Sequence, residues 1–156
     1  MPESTYRERL RIRVNGLLID DEAMLMVKLR SPVTDSGIWM PPGGGLKYGE
    51  TMEACLAREF REETGLRIEV GALRHINEFL NPPFHAVEFY FEVTAAGGEL
   101  ALGNDPEHTS DSQLLQKLKF IELEEFSSYP IMPEYLYTQF LREQKEGKKG
   151  ISFSGK

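Results

Sequence analysis

Alternation of apolar and polar residues marks the strands of this chain. Leu10, Ile12 and Val14 alternate with arginines, which is typical of a half-buried strand. This strand continues through apolar residues 17–19 to a turn at residues 20–22, which are all acidic. By the same reasoning, strands are predicted in five stretches, at residues 10–19, 23–30, 68–70, 87–93 and 118–123.

Two segments have the spacing of helices. The first covers residues 51–64, where Thr51 is a good N-cap and Gly65 suits the left-handed position that ends a helix. The second covers about residues 134–146 and carries its large apolar side chains on one side. Strands, one helix, more strands and a second helix predict a single α/β domain over residues 1–156, with helices packed on a mixed sheet.

The remaining segments are predicted to be irregular. Residues 41–45, Pro-Pro-Gly-Gly-Gly, are expected to form a loop whose glycines permit unusual backbone angles and close approach of a ligand. Residues 94–112 are rich in turn formers. The tail from about residue 147 is expected to be mobile, although Ile151 and Phe153 leave open a docked end.

Composition and charge narrow the functional classes. A net charge of −7 argues against a broad nucleic-acid surface, and no stretch approaches the ~18 apolar residues of a membrane span. Because the first residues lack an apolar signal core, a cytoplasmic location is expected. Cys55 is the only cysteine, so an internal disulfide is excluded and a packed thiol is the favoured interpretation.

The first predicted helix carries carboxylates where a surface helix would not place them. At about 100° per residue, Met52, Leu56 and Phe60 define the inward face, and Glu59 and Glu63 fall at its edge or inside it. Like charges three or four positions apart cost a few tenths of a kcal/mol each, and partial burial increases that cost. A bound divalent cation would remove the penalty, with Mg²⁺ as the natural candidate and Mn²⁺ as a substitute.

The carboxylates belong to a longer pattern with fixed spacing. Its defined positions are Gly44, Glu50, Arg58, Glu59, Phe60, Glu62, Glu63, Gly65 and Leu66. They match the signature of the Nudix hydrolases at every position, with Phe60 in a slot that is more often aliphatic, and residues 39–46 are also similar to that family. The chain thus resembles a Nudix hydrolase, and the resemblance implies that family's α/β/α sandwich with a mixed sheet.

The resemblance also implies roles for these residues. The implied metal ligands are Glu59, Glu62, Glu63 and the backbone carbonyl of Gly43. Arg58 would hold a catalytic glutamate through a charge-assisted pair, and one glutamate, here assigned as Glu62, would activate the attacking water. Glu50 would brace the loop against the helix or reach the metal through water. Gly44 and Gly65 would be structural.

A further acidic ligand is expected from a loop after the motif. The turn-rich stretch offers Asp105, Glu107 and Asp111, of which Glu107 is the candidate. The alternative is that all three are solvated loop residues. Trp39 and Phe84 are candidates to stack on a substrate base, although aromatic residues more often lie in a core.

The implied substrate is a small nucleoside diphosphate linked to another group. Pro82, 16 residues after Leu66, favours ADP-ribose or a related nucleotide sugar or dinucleotide, although Pro82-Pro83 is also an ordinary strand breaker. One alternative is a hydrolase of nucleoside triphosphates, and another is a binding module without turnover. The intact set of Arg58 and its glutamates argues against the latter. Related proteins suggest a homodimer.

Overall fold

A computed structural model describes residues 7–30, 37–103, 115–147 and 150–155 of the 156-residue chain. Within these ranges the strands are β1 Leu10–Asp20, β2 Ala23–Leu29, β3 Ile38–Met40, β4 Gly43–Gly45, β5 Leu66–Asn81, β6 Phe84–Gly98, β7 Leu115–Glu122 and β8 Ser152–Ser154. The α-helices are α1 Met52–Thr64 and α2 Gln139–Glu146, and 3₁₀ turns cover Leu123–Ser128 and Glu134–Tyr137. No helix in these ranges is both long and apolar enough to cross a bilayer.

The strands form a mixed sheet in the order β3-β2-β1-β6-β5-β8, while β4 pairs with β1 and β7 with β2. The β1 strand runs parallel to β6, from Leu10 opposite His85 to Leu18 opposite Val93. The β5–β6 hairpin and the β2 pairings are antiparallel. This arrangement confirms the predicted α/β class with a mixed sheet.

The two faces of β1 support separate cores. Val14 and Leu18 pack with Leu56 and Phe60 of α1 on one face. Leu17 packs on the other face, in the cluster that includes Phe140 of α2 and residues of the 3₁₀ turns. The sheet therefore lies between α1 and α2. The helix α1 packs against β1, the strand that also pairs with β4.

The glycine segment is a strand, and the predicted loop is wrong in this respect. Gly43, Gly44 and Gly45 pair with Asn15, Val14 and Arg13 of β1, and none of the three glycines has a positive φ. Crowding requires the lack of a side chain at Gly43 and Gly44. A Cβ on Gly43 would lie 2.6 Å from the Asn15 Cα, and one on Gly44 would lie 2.5–2.6 Å from both carboxylate oxygens of Glu59.

The predicted ends of α1 are confirmed by its caps. Thr51 accepts a hydrogen bond from the amide of Ala54 at 3.0 Å, and Gly65 adopts φ 75° beyond the last turn. The second predicted helix is interrupted. Its first residues form the Glu134–Tyr137 3₁₀ turn, and Thr138, at φ −122° and ψ −92°, separates that turn from α2.

The docked alternative for the tail is the one observed, since β8 pairs in parallel with His75–Asn77 of β5. The imidazole of His75 is 1% exposed. Its Nδ1 lies 2.7 Å from the Ser152 hydroxyl, and its Nε2 lies 2.7 Å from the Ser154 hydroxyl. The ring stacks on Tyr135 at 3.8 Å. The strand is therefore fixed by side chains as well as by its backbone.

Candidate active site

One guanidinium joins three carboxylates at the centre of the sequence motif. Arg58 donates two hydrogen bonds to Glu50, from Nη2 at 2.8 Å and from Nε at 3.2 Å. Its Nη1 donates to Glu59 at 2.9 Å and to Glu62 at 3.3 Å. The arginine thus orients one carboxylate from the loop before α1 and two from α1 itself, as the charge-assisted pairing predicts.

Glu50 fixes the loop between β4 and α1. Besides the Arg58 fork, its Oε1 accepts a hydrogen bond from the Lys47 amide at 2.9 Å. The hydrogen bonds from Arg58 are the main reason why the pKa of Glu50 falls to about 2. Of the two roles predicted for Glu50, these contacts match the bracing of the loop against the helix.

The free edge of β4 faces the C-terminal half of α1. The Gly43 amide donates to the Glu63 Oε2 at 2.9 Å, and the Gly45 carbonyl accepts from the Arg58 Nη2 at 3.3 Å. Peptide groups of alternate residues in a strand point to the same side, so the Gly43 carbonyl also points away from β1. This direction fits the prediction that the Gly43 carbonyl is a metal ligand.

Cys55 lies beneath the glycine strand. Its thiol donates to the Gly45 carbonyl at 3.6 Å and is 3.7 Å from the Arg58 Nη2. The residue is fully buried, and burial is the main cause that raises the pKa of the thiol to about 12. The cysteine therefore acts as a packed side chain, as predicted, and stays protonated at neutral pH.

The donors of the motif suit a hard divalent cation. Glu50, Glu59 and Glu62 bring three carboxylates to one arginine, Glu63 accepts from the Gly43 amide, and burial raises the pKa of Glu59. Within the described residues, no three acidic, histidine or cysteine side chains are already grouped around a cation position. The Arg58 Nη1 donates to both Glu59 and Glu62.

The other predicted residues lie apart from this cluster. Trp39 is 7% exposed and meets the Tyr129 ring edge-on at 5.9 Å in the core, so it offers little surface to a base. Phe84 begins β6 at the turn of the β5–β6 hairpin. Its neighbour His85 pairs with Leu10, three residues along β1 from the Gly45 pair, which is roughly 10 Å. Glu107 lies outside the described residues, and its role stays a prediction.

Sequence reasoning missed two polar residues on β1, Arg13 and Asn15, which pair with Gly45 and Gly43. Asn15 is completely buried and donates to the Pro41 carbonyl at 3.0 Å. Arg13 lies 3.9 Å from Glu88 on β6. The alternation of arginines with apolar residues indicates only the solvent side of a strand, because the pairing of β4 with β1 leaves no sequence signal.

The comparisons with known proteins agree with this geometry. The family model for the NUDIX domain matches residues 9–140. An ADP-ribose pyrophosphatase of Methanocaldococcus jannaschii is 33% identical over 113 residues, which are 70% of this chain and 66% of that protein. The nucleoside triphosphatase NudI of an Enterobacter species is 40% identical over 70 residues, 42% of this chain and 48% of that protein.

The solution structure of the E. coli ORF135 protein superposes with a TM-score of 0.69 at 22% identity. The match covers 88% of this chain and 93% of that one, and it supports the fold alone. The chain spans about half to two thirds of the length of the curated relatives that it matches first.

Proposed function

This chain belongs to the NUDIX domain family, and from that premise we propose that it is a Mg²⁺-dependent hydrolase of a nucleoside diphosphate linked to another group. The proposed substrate is ADP-ribose or a related nucleotide sugar or dinucleotide. The observation that carries the proposal is the arginine-centred carboxylate cluster on the edge of the glycine strand. The likeness to an ADP-ribose pyrophosphatase supports the choice of substrate.

The proposed ligands of the cation are Glu59, Glu62 and Glu63, with the Gly43 carbonyl. A divalent cation held there would neutralise phosphate charge and lower the pKa of a bound water. Arg58 engages Glu59 and Glu62 through a single nitrogen, whereas it holds Glu50 with two. The Glu50 pair can therefore keep the arginine in place while the other carboxylates turn to a ligand.

Glu62 is the proposed general base. Its side chain is 29% exposed, against 15% for Glu59 and 18% for Arg58, so among these three it is the most accessible to a water that enters from solvent. A carboxylate oxygen of Glu62 would accept the proton of the attacking water as the water oxygen bonds to phosphorus and the bridging P–O bond breaks, with the electron pair leaving on the departing phosphate. Arg58 would keep this carboxylate close to α1 and correctly oriented.

The first experiment measures hydrolysis with Mg²⁺ for ADP-ribose, NADH, diadenosine polyphosphates, sugar nucleotides and nucleoside triphosphates, with products separated by chromatography. A dominant kcat/KM for ADP-ribose or a similar diphosphate supports the proposal. Release of pyrophosphate from a triphosphate would instead support the second candidate, which the likeness to NudI favours. Activity that survives exhaustive chelation would refute the requirement for a cation.

Variants of the cluster test the assigned roles. Glu62→Gln and Glu63→Gln should each lower kcat by at least ~10²-fold, because the charge that they remove acts on the reacting centre. Glu53→Gln is the matched control, since Glu53 lies in the first turn of the same helix and is exposed. Turnover close to that of the wild type in both cluster variants would contradict the assignment.

A further inference from the structure

Two residues of β1 that pair with the glycine strand carry unpartnered polar atoms. Among the described residues, the buried side-chain nitrogens and oxygens without a hydrogen-bond partner are Arg13 Nε, Asn15 Oδ1 and Arg74 Nε. Arg13 and Asn15 are two positions apart on β1, so they share one face of the sheet, and they pair with Gly45 and Gly43. A buried donor without a partner costs free energy, so the Arg13 guanidinium beside a candidate active site is a candidate to bind an anionic group, whereas the Asn15 oxygen is an acceptor on a residue with no exposed surface.

The glycine strand leaves an opening toward Arg13. Successive residues of β4 face opposite sides, and a Cβ on Gly44 would meet Glu59 while one on Gly43 would lie 2.8 Å from the Asn15 Cγ. Gly45 faces the Arg13 side. A Cβ on Gly45 would meet no atom within 4 Å among the described residues, its chain neighbours aside. Arg13 is nevertheless close enough to Glu59 to oppose the rise that burial causes in the pKa of that carboxyl, so a group bound at the carboxylates would reach Arg13 past the open position at Gly45.

The donors of Arg13 are engaged less than those of Arg58. The Arg13 Nε is 3.9 Å from the Glu88 Oε2, which is too long for a hydrogen bond. The other oxygen of Glu88 accepts from the Asn77 amide at 2.9 Å and from the Tyr90 hydroxyl at 3.2 Å. Glu88 is thus held in place by its neighbours. It lies close to Arg13 without occupying the hydrogen-bond donors of the guanidinium.

We propose that Arg13 binds a phosphate group of the nucleotide, which reaches it across Gly45. This inference rests on the proposed function for the nature of the ligand. A guanidinium fork matches two phosphate oxygens, and the Arg13 side chain is 17% exposed, so part of it is accessible to a ligand. In a chain of net charge −7, such a cation offsets the repulsion between the carboxylate cluster and an anionic substrate.

Binding of α,β-methylene-ADP in the presence of Mg²⁺, measured by calorimetry, tests this inference because the bridging carbon prevents hydrolysis. Arg13→Gln should weaken binding at least ~10-fold, and Arg13→Lys should recover part of the loss because it keeps the charge but not the fork. Arg142→Gln, on the exposed side of α2, is the matched control and should bind as the wild type does.

Gly45→Val provides an independent test that leaves Arg13 intact. The valine would fill the opening, and an extended glycine without positive φ accepts a β-branched residue, so this variant should fold and bind the analogue more weakly. With ADP-ribose and Mg²⁺, Arg13→Gln should raise KM at least ~10-fold and change kcat less than ~3-fold.

Three outcomes would overturn the inference. The first is equal binding of the analogue by wild type and Arg13→Gln. The second is a lower Tm in Arg13→Gln with unchanged binding, because Arg13 would then be only a structural partner of Glu88. The third is no binding by the wild-type protein. If the wild type binds the analogue through Arg13 but hydrolyses no nucleotide, the inference stands and the proposed hydrolase function fails.

Discussion

Acidification should destabilise this protein through His75. The imidazole is buried between the two serine hydroxyls of β8, and burial lowers its pKa to about 4. In the unfolded chain the ordinary pKa is about 6.5. The unfolded state therefore binds more protons between these two values, so the contribution of His75 to stability is complete above about pH 6.5 and is lost as the pH falls toward 4.

The size of the effect follows from the two pKa values. At about pH 5, protonation favours the unfolded state by a factor of roughly 30, which corresponds to about 2 kcal/mol relative to pH 7.5. Such a loss is a large part of the 5–15 kcal/mol that is typical of a folded domain. Carboxylates also titrate in this range, so the wild-type curve alone does not isolate the histidine.

Urea denaturation at about pH 7.5 and pH 5 measures the loss. His75→Gln can still hydrogen-bond both serines but does not titrate, so its stability should fall by about 2 kcal/mol less than that of the wild type over this interval. His85→Gln, which changes a partly exposed histidine paired with Glu78, is the control and should follow the wild type. Identical pH dependence in wild type and His75→Gln would refute the reasoning.

Two further predictions concern the glycine strand and the cap of α1. Gly44→Ala should lower kcat/KM at least ~10-fold because the methyl group meets the carboxylate of Glu59. Gly45→Ala should change kcat/KM less than ~3-fold, because its methyl group meets no atom of the other described residues within 4 Å. Steady-state kinetics would compare the two variants, and equal losses of kcat/KM would contradict this difference. Thr51→Ala should lower the free energy of unfolding by about 1 kcal/mol in urea titrations, since it removes the cap on the Ala54 amide, and an unchanged midpoint would disprove this role.

The helix of the motif could be predicted because its signals are local. Thr51 and Gly65 fix its ends within the helix itself, and the period of its apolar residues places Phe60 in the core with Glu59 and Glu63 beside it. The same locality explains the β1 and β6 predictions, since alternation needs only neighbouring residues.

What escaped prediction depends on contacts between distant parts of the chain. The glycine segment is typical of a loop because glycine is a poor strand former, yet pairing with β1 makes it a strand. The interruption at Thr138 likewise has no local breaker such as proline at that position. An arginine on a half-buried strand is ordinarily solvated, so the sequence gives no reason to select Arg13 as a ligand-binding residue. That reason comes from the pairing of β1 with β4, which places Arg13 opposite Gly45.

The open position at Gly45 makes this protein suitable for site-specific labelling. Cys55, its only cysteine, is buried with a pKa of about 12 and should not react with maleimides in the folded state. A Gly45→Cys variant would therefore carry a single accessible thiol, at a strand position where a Cβ meets no crowding. A bulky label attached there would fill the opening as valine does, whereas small tethered fragments could be screened for ligands that extend from the carboxylates toward Arg13.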